Sequence, residues 1–271
     1  MSAFPAFPSS CVRSDIVGRL RAAGCVFAED EAELITSTAP TSADVEAMVE
    51  RRVAGFPLEH VLGWAEFCDL RFAVDPRVFV PRRRTEFLVG QAAALAPSRA
   101  VVLDLCCGSG AVGAAVGRDP SVASIELHAT DIDPAAVRCA RRNVDAVGGQ
   151  VYEGDLYAPL PATLRDRVDI LVAIVPYVPS GEVGLLPREA RIHESRVALD
   201  GGGDGLDILR RVAEAAPLWL APGGHLLVET SERQAPSAAD IVDQSGLVPR
   251  VARSEELEAT VVLGTRPGPM R

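Results

Sequence analysis

The sequence predicts an α/β protein in which helices cover both faces of a mostly parallel sheet, preceded by a small helical domain. From about residue 86 onward, short apolar segments typical of buried strands alternate with segments of helical periodicity. The first part of the chain shows the apolar spacing and capping patterns of helices. A length of 271 residues allows a buried core with a smaller module attached. We expect a helical domain at 1–65, a β-like connector at 66–85 and the α/β domain at 86–271.

The N-terminal segment contains three predicted helices. Ser14 is placed to cap "DIVGRLRAAG", whose Gly24 suits a helix end. A second helix is predicted at "DEAELITST". Thr41 with Asp44 resembles a capping box that opens "SADVEAMVERRVAG", which closes at Gly55. In the connector, the alternating apolar residues of "EFCDLRFAVDPRVFV" indicate β structure.

The remainder of the chain alternates between strands and helices. Strands are predicted at "AVVLDL", "SIELHATDID", "DILVAIV" and "GGHLLVET", and a Gly-rich turn follows the first of them. Helices are predicted at "PAAVRCARRNVDAVG", where Pro134 stands at the start, and at "DGLDILRRVAEAAPLWL". Strands at this spacing, joined by helices, form a mostly parallel sheet.

The composition disfavours several classes of function. The chain has 37 acidic and 27 basic residues and a net charge of -10, which disfavours nucleic acid as a partner. Its start shows no basic region followed by an apolar core, and no apolar run approaches the roughly 18 residues that span a bilayer. We therefore expect a cytoplasmic protein without a membrane partner. The six cysteines form no C-x-x-C pair and no cluster with histidines, so we expect reduced thiols and no metal site.

The first two core strands carry the residues of a ligand site. Asp104 ends the first strand, and Gly108 and Gly110 allow a tight turn against which a ligand can lie, although many such turns serve packing alone. Asp131 ends the second strand about twenty residues later, where a carboxylate accepts the ribose hydroxyl protons of a nucleoside. Asp133 is better placed than Asp131 to cap the next helix, which leaves Asp131 for the ligand.

A third acidic residue extends this site. Asp155 follows a short strand, where its carboxylate can accept from an adenine amino group while Leu156 packs on the ring; the alternative is an ordinary loop acid. The chain has no G-x-x-x-x-G-K sequence, and no arginine stands within the turn to meet a diphosphate. A nucleoside without phosphates fits better, and S-adenosylmethionine is the candidate.

Seven segments occur in an order that resembles the protein-glutamine N-methyltransferases. They are "FPLEHVLGWAEFCDLRFAVDPRVFVPRRRTEFLV", "LDLCCGSGAVG", "DIDPAAVRCARRN", "GDLY", "VPYVPSGE", "HESRVALDGGGDGLDILRR" and "LAPGGHLLVETSERQ". Members of this family methylate the side-chain amide of a glutamine in peptide-chain release factors or in a ribosomal protein. The likeness covers nearly all the chain beyond about residue 45, and the helical start matches the family's substrate-recognition domain more loosely. It implies a class I, Rossmann-like methyltransferase with S-adenosylmethionine as cofactor and a protein as substrate.

The resemblance also implies roles for individual residues around the cofactor. The turn lies along the methionine part, Asp131 takes the ribose, and Asp155 and Leu156 lie at the adenine, with two residues of the connector lining the cofactor as well. The complete predicted set is Phe79, Thr85, Asp104, Cys106, Cys107, Gly108, Ser109, Gly110, Asp131, Ile132, Asp155 and Leu156.

The connector departs from the family pattern at two positions. Where the family has Pro-Arg-Pro-Glu-Thr-Glu, this chain has "PRRRTE", so that Arg83 and Arg84 replace a proline and a glutamate. The run from Arg82 to Arg84 is interpreted as a solvated basic patch, or as a surface for an acidic partner protein.

The acceptor loop departs from the family pattern more strongly. The family's Asn-Pro-Pro-Tyr is replaced by Ile174, Val175, Pro176 and Tyr177. An amide nitrogen is a poor nucleophile, and the motif resembles a clamp in which the Asn side chain and the next main-chain carbonyl orient it. Val175 still supplies a carbonyl, whereas Ile174 can neither donate nor accept a hydrogen bond. By analogy with the loss of one transition-state hydrogen bond, the rate is expected to fall on the order of a hundredfold to a thousandfold.

These residues leave three functions open. The first is a protein-glutamine methyltransferase with an altered acceptor clamp; the second is a methyltransferase for a small molecule or another amine. The third is a module that binds cofactor or partner without catalysis. Tyr177 is alternatively a loop aromatic that covers the sheet edge, and Glu194 is interpreted as a structural acid rather than a catalytic base.

Overall fold

The computed structural model describes residues 10–268, which begin with four helices. Their bounds are α1 Ser10–Ala22, α2 Ala28–Thr38, α3 Ser42–Val53 and α4 Leu58–Leu62. The first three helices bury a core of their own, to which Leu20 of α1, Ile35 of α2 and Val49 of α3 contribute. Apolar residues at helical spacing therefore form one shared interior face in this segment.

One of the two helix starts predicted in this segment is correct. Thr41 caps α3, since its Oγ1 accepts from the Asp44 backbone N–H at 3.2 Å and donates to the Asp44 carboxylate at 2.6 Å. The prediction that Ser14 caps the first helix is wrong, because α1 begins four residues earlier, at Ser10. Arg13 already lies within α1, where it forms an ion pair with Glu33 of α2.

A β-hairpin follows the helices. Its strands are β1 Trp64–Phe67 and β2 Leu70–Ala73, and they pair in antiparallel register. The two turn residues, Cys68 and Asp69, have φ values of 52° and 57°, as a tight two-residue hairpin turn requires. The backbone of Ala73 exchanges two hydrogen bonds with the Asn143 side chain, each of 2.9 Å. This amide holds the end of the hairpin against the α/β domain.

The α/β domain is built on a seven-stranded sheet. The strands are β3 Arg99–Leu105, β4 Ser124–Asp131, β5 Gln150–Glu153, β6 Val168–Ala173, β7 Leu220–Thr230, β8 Val248–Ser254 and β9 Ala259–Thr265. Their order is β5-β4-β3-β6-β7-β9-β8; the first five are parallel, and β9 runs antiparallel to both of its neighbours. The predicted class, a mostly parallel sheet with helices, is confirmed.

The described part of the α/β domain contains six α-helices. They are α5 Glu86–Leu95, α6 Ala111–Arg118, α7 Pro134–Val144, α8 Arg188–His193, α9 Asp207–Ala215 and α10 Ala235–Gln244. Helices α5 to α7 pack in the cluster that contains Val102 of β3, whereas α9 and α10 pack in the cluster that contains Leu103 and Leu105. The alternation along β3 separates these two cores, because successive side chains of a strand point to opposite faces.

Several element bounds differ from the prediction, among them those of β6 and α9. The strand predicted at "DILVAIV" ends at Ala173, so Ile174 and Val175 belong to the loop that follows. The helix predicted at "DGLDILRRVAEAAPLWL" begins at Asp207, and a 3₁₀ turn containing Pro217 follows it. Proline cannot donate a backbone hydrogen bond inside a helix, and Leu220 is already the first residue of β7.

Candidate active site

A large cleft opens at the carboxyl ends of the parallel strands. Strands β4 and β5 lie on one side of β3, and β6 and β7 lie on the other, so the strand order reverses next to β3. In open α/β sheets, ligands bind outside the carboxyl ends of the strands at such a reversal. The cleft has a volume of about 1510 Å³, and every residue of the predicted cofactor and acceptor sets except Gly110 lines it.

The turn after β3 is fastened to the end of β4. Cys106 and Gly108 both have a φ of 54°, the left-handed conformation that this tight turn requires. The Gly108 backbone N–H donates to Asp131 Oδ2 at 2.8 Å, and that of Cys107 donates to the Thr130 carbonyl at 3.0 Å. Two strand ends and the turn between them therefore form one rigid wall of the cleft.

Gly110, unlike the other residues of the turn, does not line the cleft. Its φ is 74°, and it stands just before α6. A Cβ at this position would lie 2.8 Å from Val144 Cγ2 and 3.1 Å from the Ala140 side chain. The glycine allows α6 and α7 to approach closely, and it does so outside the residues that line the cleft. Its predicted contact with the cofactor stays a prediction.

Asp104 is a buried acid with one unsatisfied oxygen. The residue is 1% exposed, and its Oδ2 accepts from the Gly113 backbone N–H at 2.9 Å. Within residues 10–268, its Oδ1 has no hydrogen-bond partner. Burial raises the pKa of this carboxyl to about 7, and the nearby Asp131 contributes to the increase. A buried carboxylate without a counter-ion fits a cationic ligand such as S-adenosylmethionine, which carries an ammonium group.

Asp131 and Asp133 have different hydrogen-bond partners, largely as the sequence predicts. The Asp133 carboxylate accepts from the Ala135 backbone N–H at 2.8 Å, which confirms it as the cap of α7. Asp131 is not free, however, because its two oxygens accept from the backbone N–H groups of Gly108 and Asp133 at 2.8 and 2.9 Å. Each carboxylate oxygen can accept a second hydrogen bond, so capacity for ribose hydroxyls remains.

The part of the cleft predicted to take the adenine contains an ion pair that the sequence analysis missed. Asp155 Oδ2 accepts from Arg211 of α9 at 2.6 Å, and both side chains are about half exposed. Leu156 is buried and has a φ of 48°, so the backbone turns sharply between strand and cleft. No local signal points to Arg211, which lies more than fifty residues away in the chain.

At the other end of the cleft, the acceptor loop follows β6. Ile174 packs against the cluster on the α5–α7 face, whereas Val175 is buried in the cluster on the opposite face. The hydroxyl of Tyr177 donates to Glu229 Oε1 at 3.2 Å and accepts from Arg84 Nη2 at 2.5 Å. Burial raises the pKa of this phenol to about 12, so the hydroxyl keeps its proton at neutral pH. Tyr177 is thus part of a side-chain network.

Glu229 is the centre of this network and was not singled out from the sequence. It lies near the end of β7 and is 3% exposed. Its Oε1 accepts from Arg84 Nε at 3.0 Å, and its Oε2 accepts from Thr85 Oγ1 at 2.6 Å. The only sequence signal is an acid at the end of the apolar run "HLLVET". Arg84 is therefore paired and is not part of a solvated basic patch. Its side chain lies at the acceptor end of the cleft.

Glu194, the first residue after α8, binds residues of the connector. Its Oε1 accepts from Arg82 Nη2 at 2.5 Å and more weakly from the Val80 backbone N–H at 3.4 Å. Burial raises the pKa of this carboxyl, although Arg82 opposes the increase. These contacts support its interpretation as a structural acid.

Residues 10–268 contain no group of three or more His, Cys, Asp or Glu side chains placed to hold a metal ion. Within the same residues, no helix has both the length and the apolar character needed to cross a membrane.

Known proteins resemble this chain in sequence. The family model described as "Methyltransferase small domain" matches residues 71–206. A release factor glutamine methyltransferase of Geobacter sulfurreducens is 38% identical over 201 residues, covering 73% of this chain and 69% of that protein. A protein of the same name from Bordetella pertussis is 38% identical over 204 residues, covering 74% of each chain.

Solved structures show the same fold. A methyltransferase from Pyrococcus furiosus has a TM-score of 0.56 at 14% identity, covering 83% of this chain and 99% of that one. The T. thermophilus 16S rRNA N2 G1207 methyltransferase, solved with AdoMet and guanosine, has a TM-score of 0.52 at 20% identity, covering 75% and 49%. Family, sheet order and cleft agree: the chain is an S-adenosylmethionine-dependent methyltransferase of class I fold, and it belongs to the release factor glutamine methyltransferase family.

Proposed function

We propose that the chain methylates the side-chain amide nitrogen of a glutamine in a protein, either a release factor or a ribosomal protein. The supporting observation is the continuous cleft that joins the predicted cofactor residues at β3 to β5 with the acceptor loop after β6. Binding both reactants in one cleft makes a bimolecular reaction effectively unimolecular.

The proposed cofactor contacts follow from the order of strand ends. Asp104 and the turn from Cys106 to Gly108 would meet the amino acid part, Asp131 the ribose, and Asp155 with Leu156 the adenine. When bound, the cofactor supplies a methyl group on a positively charged sulfur, which is the electrophile of the reaction. The chain supplies a rigid wall on one side of this group and the acceptor loop on the other.

The acceptor loop keeps one of the two elements that orient an amide. Among the described residues, the Val175 main-chain carbonyl accepts no hydrogen bond, so it is available to the acceptor's amide N–H. The loop around it is braced, since Gln234 Nε2 donates to the Tyr177 carbonyl at 2.9 Å and the Val178 N–H donates to the Leu199 carbonyl at 3.2 Å. Because the loop is held in place before the reaction, the Val175 carbonyl can orient the acceptor nitrogen without any rearrangement of the loop.

The N-terminal domain at 1–65 is proposed to select the protein substrate. Pro57 and Glu59 line the cleft beside Glu189 of α8. Arg52 of α3 pairs with both Glu31 at 2.7 Å and Glu189 at 2.5 Å, which connects the helical domain to the rim of the cleft. A substrate bound to these helices would meet the cleft directly. A cytoplasmic location forms part of the proposal, because release factors act on ribosomes.

A second candidate, methylation of a different acceptor, is favoured by one observation. Ile174 lines the cleft with an apolar side chain where the family has an amide. An apolar wall suits an acceptor that is itself apolar beside its nucleophile.

Transfer of a radiolabelled methyl group to purified release factor and ribosomal proteins tests both candidates. The proposal predicts label in one of them, and loss of that label when its acceptor glutamine is replaced by alanine. Label found only in a small-molecule fraction of cell extract would establish the second candidate. If S-adenosylmethionine binds and no label is transferred anywhere, the chain is a binding module and both candidates are wrong.

A further inference from the structure

Arg84 is held in the acceptor end of the cleft by three groups. Its Nε donates to Glu229 Oε1 at 3.0 Å, its Nη2 donates to the Tyr177 hydroxyl at 2.5 Å, and its guanidinium carbon lies 5.9 Å from the centre of the Tyr177 ring. A guanidinium anchored through two nitrogens has lost most of its freedom before a ligand arrives. Such preorganisation lowers the entropic cost of one further hydrogen bond.

The third nitrogen of this guanidinium is available. Across residues 10–268, Arg84 Nη1 makes no hydrogen bond, and the side chain is 46% exposed in a residue that lines the cleft. Each terminal guanidinium nitrogen carries two N–H groups, so Nη1 can donate to a ligand while the other two nitrogens keep their partners. Arg84 is therefore a fixed donor with unused capacity.

The position of this donor relates to the altered loop. In the register between β6 and β7, Ala173 pairs with Val228, so Ile174 and Glu229 are the next residues along two neighbouring strand ends. Arg84 is hydrogen-bonded to Glu229, so the Arg84 guanidinium lies at the same strand ends as Ile174. The apolar side chain of Ile174 and the donor of Arg84 thus border the same part of the cleft.

We propose that Arg84 determines acceptor specificity by donating a hydrogen bond to the carbonyl oxygen of a primary carboxamide. This inference rests on the proposed function, because it names the group that Arg84 recognises in that reaction. Glu229 balances the charge of Arg84, so the pair offers donors without a net charge. A neutral carboxamide fits such a pair, whereas a carboxylate or an ammonium group would introduce an unbalanced charge.

Arg84→Lys tests this assignment in the full-length protein. Lysine keeps the positive charge beside Glu229 but lacks the planar fork needed to hold Glu229, Tyr177 and the acceptor together. The KM for the glutamine-bearing substrate should rise on the order of tenfold or more, with a smaller change in kcat, because the lost hydrogen bond to the carbonyl oxygen binds the substrate and the transition state alike. The Kd for S-adenosylmethionine should stay unchanged, which also reports that the variant is folded.

Two further variants make the test specific. Arg83→Lys is the matched control, because the side chain of the neighbouring Arg83 makes no hydrogen bond or ion pair within the described residues and does not line the cleft; its KM should match the wild type. In an Ile174→Asn background, Arg84→Lys should raise KM less, because asparagine offers a second amide donor. An unchanged KM in Arg84→Lys, or an equal rise in both backgrounds, would overturn the role of Arg84. Absence of glutamine methylation by the wild type would instead overturn the proposed function, and this assignment with it.

Discussion

The two ends of the cleft each contain a buried carboxyl group, and the two groups are treated differently. Asp104, at the cofactor end, is 1% exposed and leaves Oδ1 without a partner among the described residues. Glu229, at the acceptor end, is 3% exposed and receives hydrogen bonds from Arg84, Thr85 and Tyr177. An unsatisfied oxygen on a buried acid costs free energy, whereas hydrogen bonds to every oxygen offset much of the cost of burial.

This difference indicates how each end is used. The cofactor end keeps an uncompensated acid, as suits a site completed by a cationic ligand. The acceptor end already contains the cation of the chain itself, as suits a site for a neutral group. Of the four residues that depart from the family pattern, Arg84, Ile174 and Val175 line the cleft at the acceptor end and Arg83 does not line it, whereas Asp104, Gly108 and Asp131 at the proposed cofactor end match the pattern.

The largest effect is expected from Asp104→Asn, which keeps the shape of the side chain and removes the charge. Above pH 4 the unfolded chain releases this proton, while the folded chain keeps it until about pH 7. The unfolding free energy contributed by Asp104 therefore falls with rising pH across this interval, by on the order of 4 kcal/mol. Chemical denaturation without cofactor should show the variant gaining stability relative to the wild type between pH 4 and pH 8.

Asp243→Asn, on the exposed part of α10, controls for the loss of one negative charge. If the stability difference between Asp104→Asn and the wild type is the same at every pH, the acid is compensated, and the contrast between the two ends disappears.

Asp131→Ala should weaken cofactor binding by roughly 1 to 3 kcal/mol, because hydrogen bonds to a charged group are lost and the turn loses its brace at Gly108. Isothermal calorimetry with S-adenosylmethionine measures this loss. The matched control is Asp133→Ala, two residues away, which removes the cap of α7 and should lower stability by about 1 kcal/mol without weakening binding. Equal affinity losses in both variants would show that Asp131 acts only through local structure.

Tyr177→Phe should have the smallest effect, because the ring remains and only the hydroxyl between Arg84 and Glu229 is lost. We expect methyl transfer to fall on the order of tenfold, the scale of one net hydrogen bond, with cofactor affinity preserved. Tyr152→Phe on the edge strand β5 is the control, since its hydroxyl contacts His128 and Gln150 instead. A loss of cofactor affinity in Tyr177→Phe would show that the two ends of the cleft are not separable.

The fold could be predicted largely because its signals are local. Apolar runs of strand length, the cap at Thr41 and the cap at Asp133 depend on residues close together in the chain, and the structure contains all of them. The C-terminal elements α10, β8 and β9 were not predicted. No residue of β8 is buried, as expected for an edge strand that pairs only with β9. Such a strand lacks the apolar run that marks a buried one.

The site could be predicted only in part, for a related reason. The turn from Cys106 to Gly108 and the acid at Asp131 stand at strand ends that the pattern identifies. The partners of these acids come from distant segments: Arg211 reaches Asp155 across 56 positions, and Arg84 reaches Glu229 across 145. No spacing rule connects such residues, so their contacts required the structure.

We infer that the cofactor end of the cleft is intact while the acceptor end is altered at Ile174. The most direct test measures the single-turnover rate of glutamine methylation and the Kd for S-adenosylmethionine in wild type and Ile174→Asn, with Ile192→Asn on the exposed part of α8 as the control. The rate should rise on the order of a hundredfold in Ile174→Asn only, because an amide that contacts the acceptor is restored, and the Kd should not change. A fall in the rate at unchanged Kd would contradict the claim, because Ile174 would then be a wall adapted to a different acceptor.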